Sequence, residues 1–319
     1  MPLGSNPIVP AARPAISAVV PVYNGEATLP ELVARLGAAL AAAFPSFEVL
    51  LVNDGSADGS WEAISLLAAA DPRVRGIDLM RNYGQHNALL CGIRQAKGEL
   101  IVTLDDDLQH PPEEIPVLRA ALGPAVDVVY GTPREERHGL LRDLASQLTK
   151  WMLAGAMGGA IARQVGAFRL FRTQVREAFA DYQSPYVSVD VLLTWGTTRF
   201  AAVPVRHDPR RAGRSNYTLR LLVRHALNMV TGFSVQPLQA ASLVGFGATL
   251  FGLLVLAWVL GRYLLQGTSV PGFPFLASLI AIFSGAQLFT LGILGEYLAR
   301  LHLRAMARPV YTVRGSTPR

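Results

Sequence analysis

The sequence predicts an α/β domain with a mostly parallel sheet, followed by an amphipathic helix and a hairpin of two membrane-spanning helices. Over residues 16–130, short uninterrupted apolar runs alternate with longer segments of helical periodicity, which is typical of parallel strands joined by helices. Two long uncharged segments follow in the last third of the chain. They account for a charged fraction of only 16%, against about 25% in ordinary soluble domains.

The elements of the α/β domain follow from these runs in chain order. Residues 1–15 are rich in proline and lack the basic and apolar regions of a secretory signal, so we expect a flexible N-terminus. The predicted strands cover residues 16–20, 47–52, 74–79, 100–104 and 126–129. The predicted helices cover residues 28–43, 60–70 and 84–96.

The two uncharged segments predict membrane spans at about 239–261 and 273–295, within a region 235–297. Each is long enough for the ~20 residues that cross ~30 Å of hydrocarbon, and a pair of buried core helices is the weaker alternative. The short connector contains Gly267, Pro271 and Gly272, so the spans form a hairpin.

Arginine placement predicts the orientation of this hairpin. The connector holds only Arg262, whereas arginines flank the outer end of each span. By the positive-inside rule we expect the α/β domain, both termini and a tail at 298–319 to face the cytoplasm. Before the first span, residues 218–234 place apolar side chains at helical spacing opposite Arg220, Arg224 and Asn228, as in a helix lying in the membrane interface.

Charge is divided unevenly along the chain. Residues 1–198 hold 16 basic and 21 acidic residues, whereas residues 199–319 hold 13 basic and 2 acidic residues, so the net charges are −5 and +11. The basic part adjoins the apolar spans and contains no recognised nucleic-acid motif, so we expect membrane lipid and lipid phosphate as partners rather than nucleic acid. Cys91 is the only cysteine, which excludes an intrachain disulfide.

Polar motifs occur where the predicted strands end. Ligands of parallel sheets bind at the carboxyl edge of the strands. Asp105 and Asp107 follow the fourth strand, and in an extended segment two residues at i and i+2 point the same way. With Gln109 they offer oxygen ligands to a hard cation that keeps substrate phosphates in its other positions, although acidic clusters on protein surfaces are common.

Several of these motifs resemble the inverting family 2 glycosyltransferases, which have a GT-A (Rossmann-like) fold. The matching segments are 20–24 (VPVYN), 53–56 (NDGS) and 104–109 (LDDDLQ). Segments 81–86 (RNYGQH) and 107–114 (DLQHPPEE) resemble the branch that uses polyprenyl phosphate. The resemblance places the glycosyltransferase domain at residues 16–217 and implies a homo-oligomer, since relatives form tetramers.

The resemblance also implies roles for individual residues. Asp54 would hydrogen-bond the nucleobase, and Asp107 and Arg169 are the catalytic candidates. Mg²⁺ or Mn²⁺ would be held by Asp105, Asp107 and Gln109. The full nucleotide-binding set is Pro21, Tyr23, Asn24, Glu26, Asp54, Asp105 and Asp106.

Arginines form the expected site for the acceptor phosphate. Segments 167–172 (AFRLFR) and 210–217 (RRAGRSNY) resemble family segments that lie near the reacting phosphates. Two positions depart from the family pattern, because Ala167 replaces an aspartate and Asn216 replaces a lysine. The acceptor-phosphate candidates are Arg134, Arg169, Arg210, Arg211, Arg214 and Ser215.

The expected reaction is transfer of a sugar from a nucleotide diphosphate donor, on the family pattern a UDP-sugar, to undecaprenyl or decaprenyl phosphate. Two alternatives remain open. A processive polysaccharide synthase would carry a Gln-x-x-Arg-Trp motif, which the sequence lacks. A non-catalytic membrane scaffold or flippase partner would have no need of the intact Asp105, Asp107 and Gln109.

Overall fold

The computed structural model describes residues 13–133, 165–184, 186–209, 236–266 and 272–318. Contacts between residues divide the chain into two compact units. The first unit is discontinuous and comprises Met1–Leu222 together with Pro309–Arg319, and the second comprises Val223–Arg308. The predicted interfacial helix at 218–234 lies outside the described residues.

A mixed eight-stranded sheet forms the centre of the first unit, in the order β7-β5-β6-β4-β1-β2-β3-β8. The four central strands β4-β1-β2-β3 are parallel to one another, as predicted. β6 lies antiparallel between β4 and β5, while β5 and β7 are parallel. The strands are β1 Ile16–Val22, β2 Phe47–Asn53, β3 Val74–Leu79, β4 Leu100–Thr103, β5 Val128–Pro133, β6 Arg169–Arg172, β7 Phe200–Val205 and β8 Val313–Ser316.

Burial explains why the central strands have uninterrupted apolar sequences. All seven residues of β1 are buried, because the strand is covered on both faces. Alternate β1 residues share one core cluster with the buried leucines of α1. The α-helices of this unit within the described residues are α1 Leu29–Ala43, α2 Ser60–Ala70, α3 Gln85–Gln95, α4 Ile115–Ala121 and α5 Val189–Gly196.

The C-terminal segment differs from the tail predicted at 298–319. Residues Val313–Ser316 form β8, which pairs antiparallel with β3 at the edge of the sheet. The Gly76 N–H donates to Thr317 Oγ1 at 2.9 Å, and buried Asn87 Nδ2 donates to the Val310 carbonyl at 2.6 Å. The glycosyltransferase domain drawn at 16–217 therefore omitted one strand, since the sequence VRGS has too few apolar residues to predict it.

Two long helices, α6 Gln236–Gln266 and α7 Phe273–Ala305, make up the described part of the second unit. Both are long and apolar enough to cross a membrane, since an 18-residue window reaches a mean hydropathy of 2.3 within Leu238–Leu265 and 1.2 within Ile282–Ala305. Each exceeds the predicted span. α7 runs beyond residue 295, and Glu296 and Arg300 form an i,i+4 ion pair of 2.6 Å along this added part, which supports the helix by a few tenths of a kcal/mol.

Candidate active site

The loops that follow β1 and β2 are joined by side-chain hydrogen bonds. Asn24 has a positive φ of 53°, and its Oδ1 accepts from the Ala57 N–H at 2.9 Å. Glu26 Oε2 accepts from the Gly59 N–H at 3.0 Å. Two predicted nucleotide ligands thus organise the neighbouring loop, while the half-exposed Tyr23 ring is open to a ligand. Pro21 is buried within β1, so the structure does not place it in the loop.

Asp54 connects the β2 loop to the loop that follows β3. The residue is 2% exposed, and its carboxylate accepts from the Tyr83 N–H at 2.7 Å and from the Gly84 N–H at 2.8 Å. Burial raises the pKa of this carboxyl group against the opposing effect of the two amides. The Asp54 carboxylate therefore binds two backbone amides of the neighbouring loop, and the nucleobase contact that the resemblance implies stays a prediction.

The acidic segment after β4 is a turn, so the extended arrangement predicted for Asp105 and Asp107 is wrong. The strand ends at Thr103, and Leu108 is buried with a φ of 60°, which turns the chain. Asp107 Oδ1 accepts from the Gln109 N–H at 3.1 Å inside this turn.

The other two aspartates of the turn contact different neighbouring loops. Asp106 Oδ2 accepts from the Tyr23 N–H at 3.1 Å, and a Cβ on Gly25 would lie 2.5 Å from that oxygen. Asp105 Oδ1 accepts from Gln85 Nε2 at 2.5 Å. The loops after β1, β3 and β4 therefore meet at the carboxyl edge of the sheet, as the strand order predicts.

The chemistry of this turn fits Mg²⁺ or Mn²⁺. Asp105, Asp107 and Gln109 are partly exposed and offer hard oxygen donors, the ligands these cations prefer. Among the described residues, no group of three or more His, Cys, Asp or Glu side chains could hold a metal by itself. A cation that takes one or two carboxylates and completes its shell with substrate phosphates suits this donor set.

Arg169, predicted as a catalytic and acceptor-phosphate residue, is 1% exposed in β6. Its Nη1 lies 2.5 Å from Asp190 Oδ1, and Tyr130 OH donates to the same oxygen at 3.1 Å. Burial, together with Asp190, raises the pKa of the Tyr130 hydroxyl well above its ordinary value. The sequence reasoning missed Asp190, although an aspartate within an otherwise apolar helix, VDVLLTWG, is a usable signal for a buried ion pair.

Three histidines lie in or beside the same region. The His110 ring lies 5.5 Å from the Phe168 ring and 5.0 Å from the His207 ring. Burial lowers the pKa of His110 to about 4; His207 and, more weakly, Arg169 also lower it, while Asp107 acts in the opposite direction. His86 Nδ1 accepts from the Val189 N–H at 3.3 Å and so connects the start of α3 to the start of α5.

The remaining acceptor-phosphate candidates lie outside the described residues. These are Arg134, Arg210, Arg211, Arg214 and Ser215. The segment that leads towards four of them is described as far as Pro209, and the Asp208 N–H donates to the Gln109 carbonyl at 2.9 Å. This bond ties the chain just before the arginine-rich segment to the acidic turn.

Comparison with known proteins agrees with this arrangement of loops. The family model described as glycosyl transferase family 2 matches residues 17–178, which contain β1 to β6 and the acidic turn. The chain belongs to glycosyltransferase family 2. It is a glycosyltransferase with a GT-A fold followed by two apolar helices that could span a membrane.

Two relatives of this glycosyltransferase match nearly its full length. The undecaprenyl-phosphate 4-deoxy-4-formamido-L-arabinose transferase of Shewanella sediminis is 36% identical over 93% of this chain and 91% of the relative. The protein of the same description from Pseudomonas aeruginosa (strain LESB58) is 36% identical over 93% of this chain and 89% of the relative.

A solved structure supports the fold alone. The crystal structure of glucosyl-3-phosphoglycerate synthase from Mycobacterium tuberculosis, in complex with Mn²⁺, UDP and phosphoglyceric acid, aligns with a TM-score of 0.53 at 19% identity. The alignment covers 68% of this glycosyltransferase and 76% of the synthase.

Proposed function

We propose that this glycosyltransferase moves a sugar from a nucleotide diphosphate donor to polyprenyl phosphate at the cytoplasmic face of a bacterial inner membrane. The observation that carries the proposal is the meeting of the β1, β3 and β4 loops around Asp105 and Asp106. A chain that also contains two apolar helices is suited to an acceptor dissolved in the bilayer. Relatives described as undecaprenyl-phosphate transferases share 36% identity over most of both chains.

The donor is proposed to be a UDP-sugar. The half-exposed Tyr23 ring offers a face on which a nucleobase can stack, and Asn24 and Glu26 join its loop to the loop after β2. The fold neighbour with a TM-score of 0.53 binds UDP together with Mn²⁺. The sugar itself is not assigned, since the formamido-arabinose in the relatives' names belongs to those proteins.

Asp105, Asp107 and Gln109 are proposed to hold Mg²⁺ or Mn²⁺, which when bound neutralises charge on the departing nucleotide diphosphate. The protein residues position the reactants. Asp106 Oδ2 fixes the Tyr23 backbone, so the base-binding loop and the acidic turn keep one spacing. In-line attack would then invert the anomeric carbon, forming a bond to the acceptor phosphate oxygen as the bond to the diphosphate oxygen breaks.

The acceptor needs no dedicated base in this proposal. The second pKa of a phosphate monoester is about 6, so the lipid phosphate is already largely ionised at neutral pH. Ala167 at the position of the family's aspartate is compatible with that chemistry. The acceptor phosphate is proposed to bind Arg134, Arg210, Arg211, Arg214 and Ser215.

Arg169 takes a different role from the one the resemblance implied. Because its guanidinium is buried and paired with Asp190, we assign it to organising β6 against α5 and not to direct contact with the acceptor phosphate. The same proposal includes three further features. Both termini face the cytoplasm, residues 218–234 form an interfacial helix, and the protein is a homo-oligomer, a tetramer by resemblance.

A donor screen tests the proposed function. Purified full-length protein in lipid nanodiscs is incubated with undecaprenyl phosphate, Mn²⁺ and single nucleotide sugars, and the lipid product is identified by mass spectrometry. We expect one sugar per lipid phosphate, with activity abolished in Asp107→Ala and retained in Asp181→Ala, where an exposed surface carboxylate is removed. A polymeric product would favour a processive synthase, and absence of product with every donor would refute the proposed transfer.

A further inference from the structure

We propose that Gln85 is a positioning residue for Asp105, and that Asp54 acts on the proposed metal site through the loop carrying Gln85. This inference rests on the proposed function and deepens it. It assigns a role to Gln85, which lies outside the predicted site, and adds a positioning role to Asp54.

The first step is the attachment of the 81–85 loop to Asp54. Two consecutive backbone N–H groups, those of Tyr83 and Gly84, donate to the two oxygens of one buried carboxylate at 2.7 and 2.8 Å. Gly84 has a φ of 99°, a conformation that favours glycine. A carboxylate that holds two neighbouring amides fixes both the position and the direction of the loop just before α3 begins at Gln85.

The second step is the close approach of the β2 loop to the same segment. A Cβ on Gly55, which has a φ of 65°, would lie 2.5 Å from the Arg81 carbonyl carbon and 2.6 Å from the Asn82 nitrogen. The 81–85 loop therefore packs closely against the Gly55 backbone and also donates hydrogen bonds to the Asp54 carboxylate. Movement of the loop away from β2 would break both contacts.

The third step is the contact between Gln85 and the acidic turn. Gln85 is the first residue of α3, and its Nε2 donates to Asp105 Oδ1 at 2.5 Å. An amide donor orients a carboxylate without neutralising it, so Asp105 keeps the negative charge that attracts a cation. Hydrogen bonds of this kind hold metal-ligating carboxylates in place, and their loss typically weakens metal affinity about 10- to 100-fold.

These contacts form one path from Asp54 through the Tyr83–Gly84 backbone and Gln85 to Asp105. The path makes a specific claim about substitution. Asp54→Asn would turn an amide NH₂ towards a backbone N–H, releasing the loop and with it Gln85. The defect of Asp54→Asn should then resemble that of Gln85→Ala, whereas loss of a nucleobase contact would alter the choice of nucleotide.

Mn²⁺ affinity is the measurement that separates these roles. Full-length protein in nanodiscs is titrated with Mn²⁺ and followed by electron paramagnetic resonance, with UDP held at a saturating concentration for each variant. We expect Gln85→Ala and Asp54→Asn each to weaken Mn²⁺ binding by about tenfold or more. The double variant should be no weaker than the more affected single variant, because both substitutions break one path.

Gln95→Ala is the matched control, since Gln95 is the last residue of the same helix and contacts Cys91 and Arg75 instead of the acidic turn. Gln85 is exposed, so its truncation leaves the core intact. Unchanged Mn²⁺ affinity in Gln85→Ala would overturn the inference. So would an Asp54→Asn protein that binds Mn²⁺ normally but no longer prefers UDP over CDP.

The wild-type protein and Asp107→Ala separate this inference from the proposed function. Mn²⁺ binding by the wild type that is lost in Asp107→Ala supports the metal site whatever the Gln85 variants do. A wild type that binds no Mn²⁺ in the presence of UDP would refute the proposed metal site and this inference together.

Discussion

Arg169 Nη1 and Asp190 Oδ1 lie 2.5 Å apart inside the catalytic unit and join β6 to α5 through a buried ion pair. The Arg169 side chain is 2% exposed and that of Asp190 is 13% exposed, so each charge depends on the other for compensation. Tyr130 OH completes the group with a 3.1 Å hydrogen bond to the same carboxylate oxygen.

Removal of one charge from this pair should lower the free energy of unfolding. Asp190→Ala leaves a buried guanidinium without its counter-charge, and we expect a loss of about 3–5 kcal/mol in the free energy of unfolding. Chemical denaturation of the full-length protein, followed by tryptophan fluorescence, measures the loss. The double variant Arg169→Met/Asp190→Leu should recover most of it, and an Asp190→Ala protein as stable as the wild type would contradict the pairing.

A methyl group at Gly55 should disrupt the candidate site. Gly55→Ala would strain a positive φ of 65° and place a Cβ 2.5 Å from the Arg81 backbone. We therefore expect the affinity for UDP to fall about tenfold or more, which corresponds to a loss of ~1.4 kcal/mol in binding free energy. Isothermal titration of the full-length protein with UDP measures the change. Gly37→Ala is the control, because a Cβ there meets nothing within 4 Å in α1 and alanine favours the helix.

The edge pairing of β8 can be tested with one hydroxyl group. Thr317→Val removes the acceptor of the Gly76 N–H while keeping the shape of the side chain, so we expect the free energy of unfolding to fall by about 1 kcal/mol. Hydrogen exchange at the Gly76 amide should become faster. Thr312→Val, in which an exposed side chain on the same segment is changed, should leave that exchange rate unaltered.

Asp127 predicts a dependence of stability on acid pH. Burial raises the pKa of its carboxyl group, but Arg199, Thr197 and Arg172 more than offset this, and the net pKa lies below the usual 3.8. A folded-state pKa below the unfolded one adds stability above about pH 4, which is lost as the pH falls through the folded value. Asp127→Asn should therefore flatten the fall in unfolding free energy below pH 4, and an unchanged slope would contradict this assignment.

Burial patterns account for what the sequence could predict. The bounds 60–70 of α2 were predicted correctly from its periodicity, which arises because one face of the helix is buried. The apolar runs of β1 to β4 arise because these strands are buried on both faces. The acidic turn was located, but its shape was not, because a leucine rarely adopts a positive φ and nothing in the local sequence marks the φ of 60° at which Leu108 joins the core.

Long-range pairing accounts for most of what the sequence could not predict. The partner of Arg169 lies 21 residues away in α5, and the Gln85–Asp105 bond spans 20 residues. Neither separation has a local periodicity that reveals it. β8 was missed for a related reason, since Gly76 and Thr317 are separated by 241 positions and the strand itself is short and polar.

The position of β8 in the chain determines when the sheet can be completed during synthesis. Both apolar helices precede Val313–Ser316, so the ribosome makes β8 only after it has made α6 and α7. Until then the backbone groups of β3 that later pair with β8 form an open strand edge, and open edges recruit foreign strands. Synthesis of both apolar helices thus precedes closure of the sheet, and the edge of β3 stays exposed to foreign strands for as long as that synthesis takes.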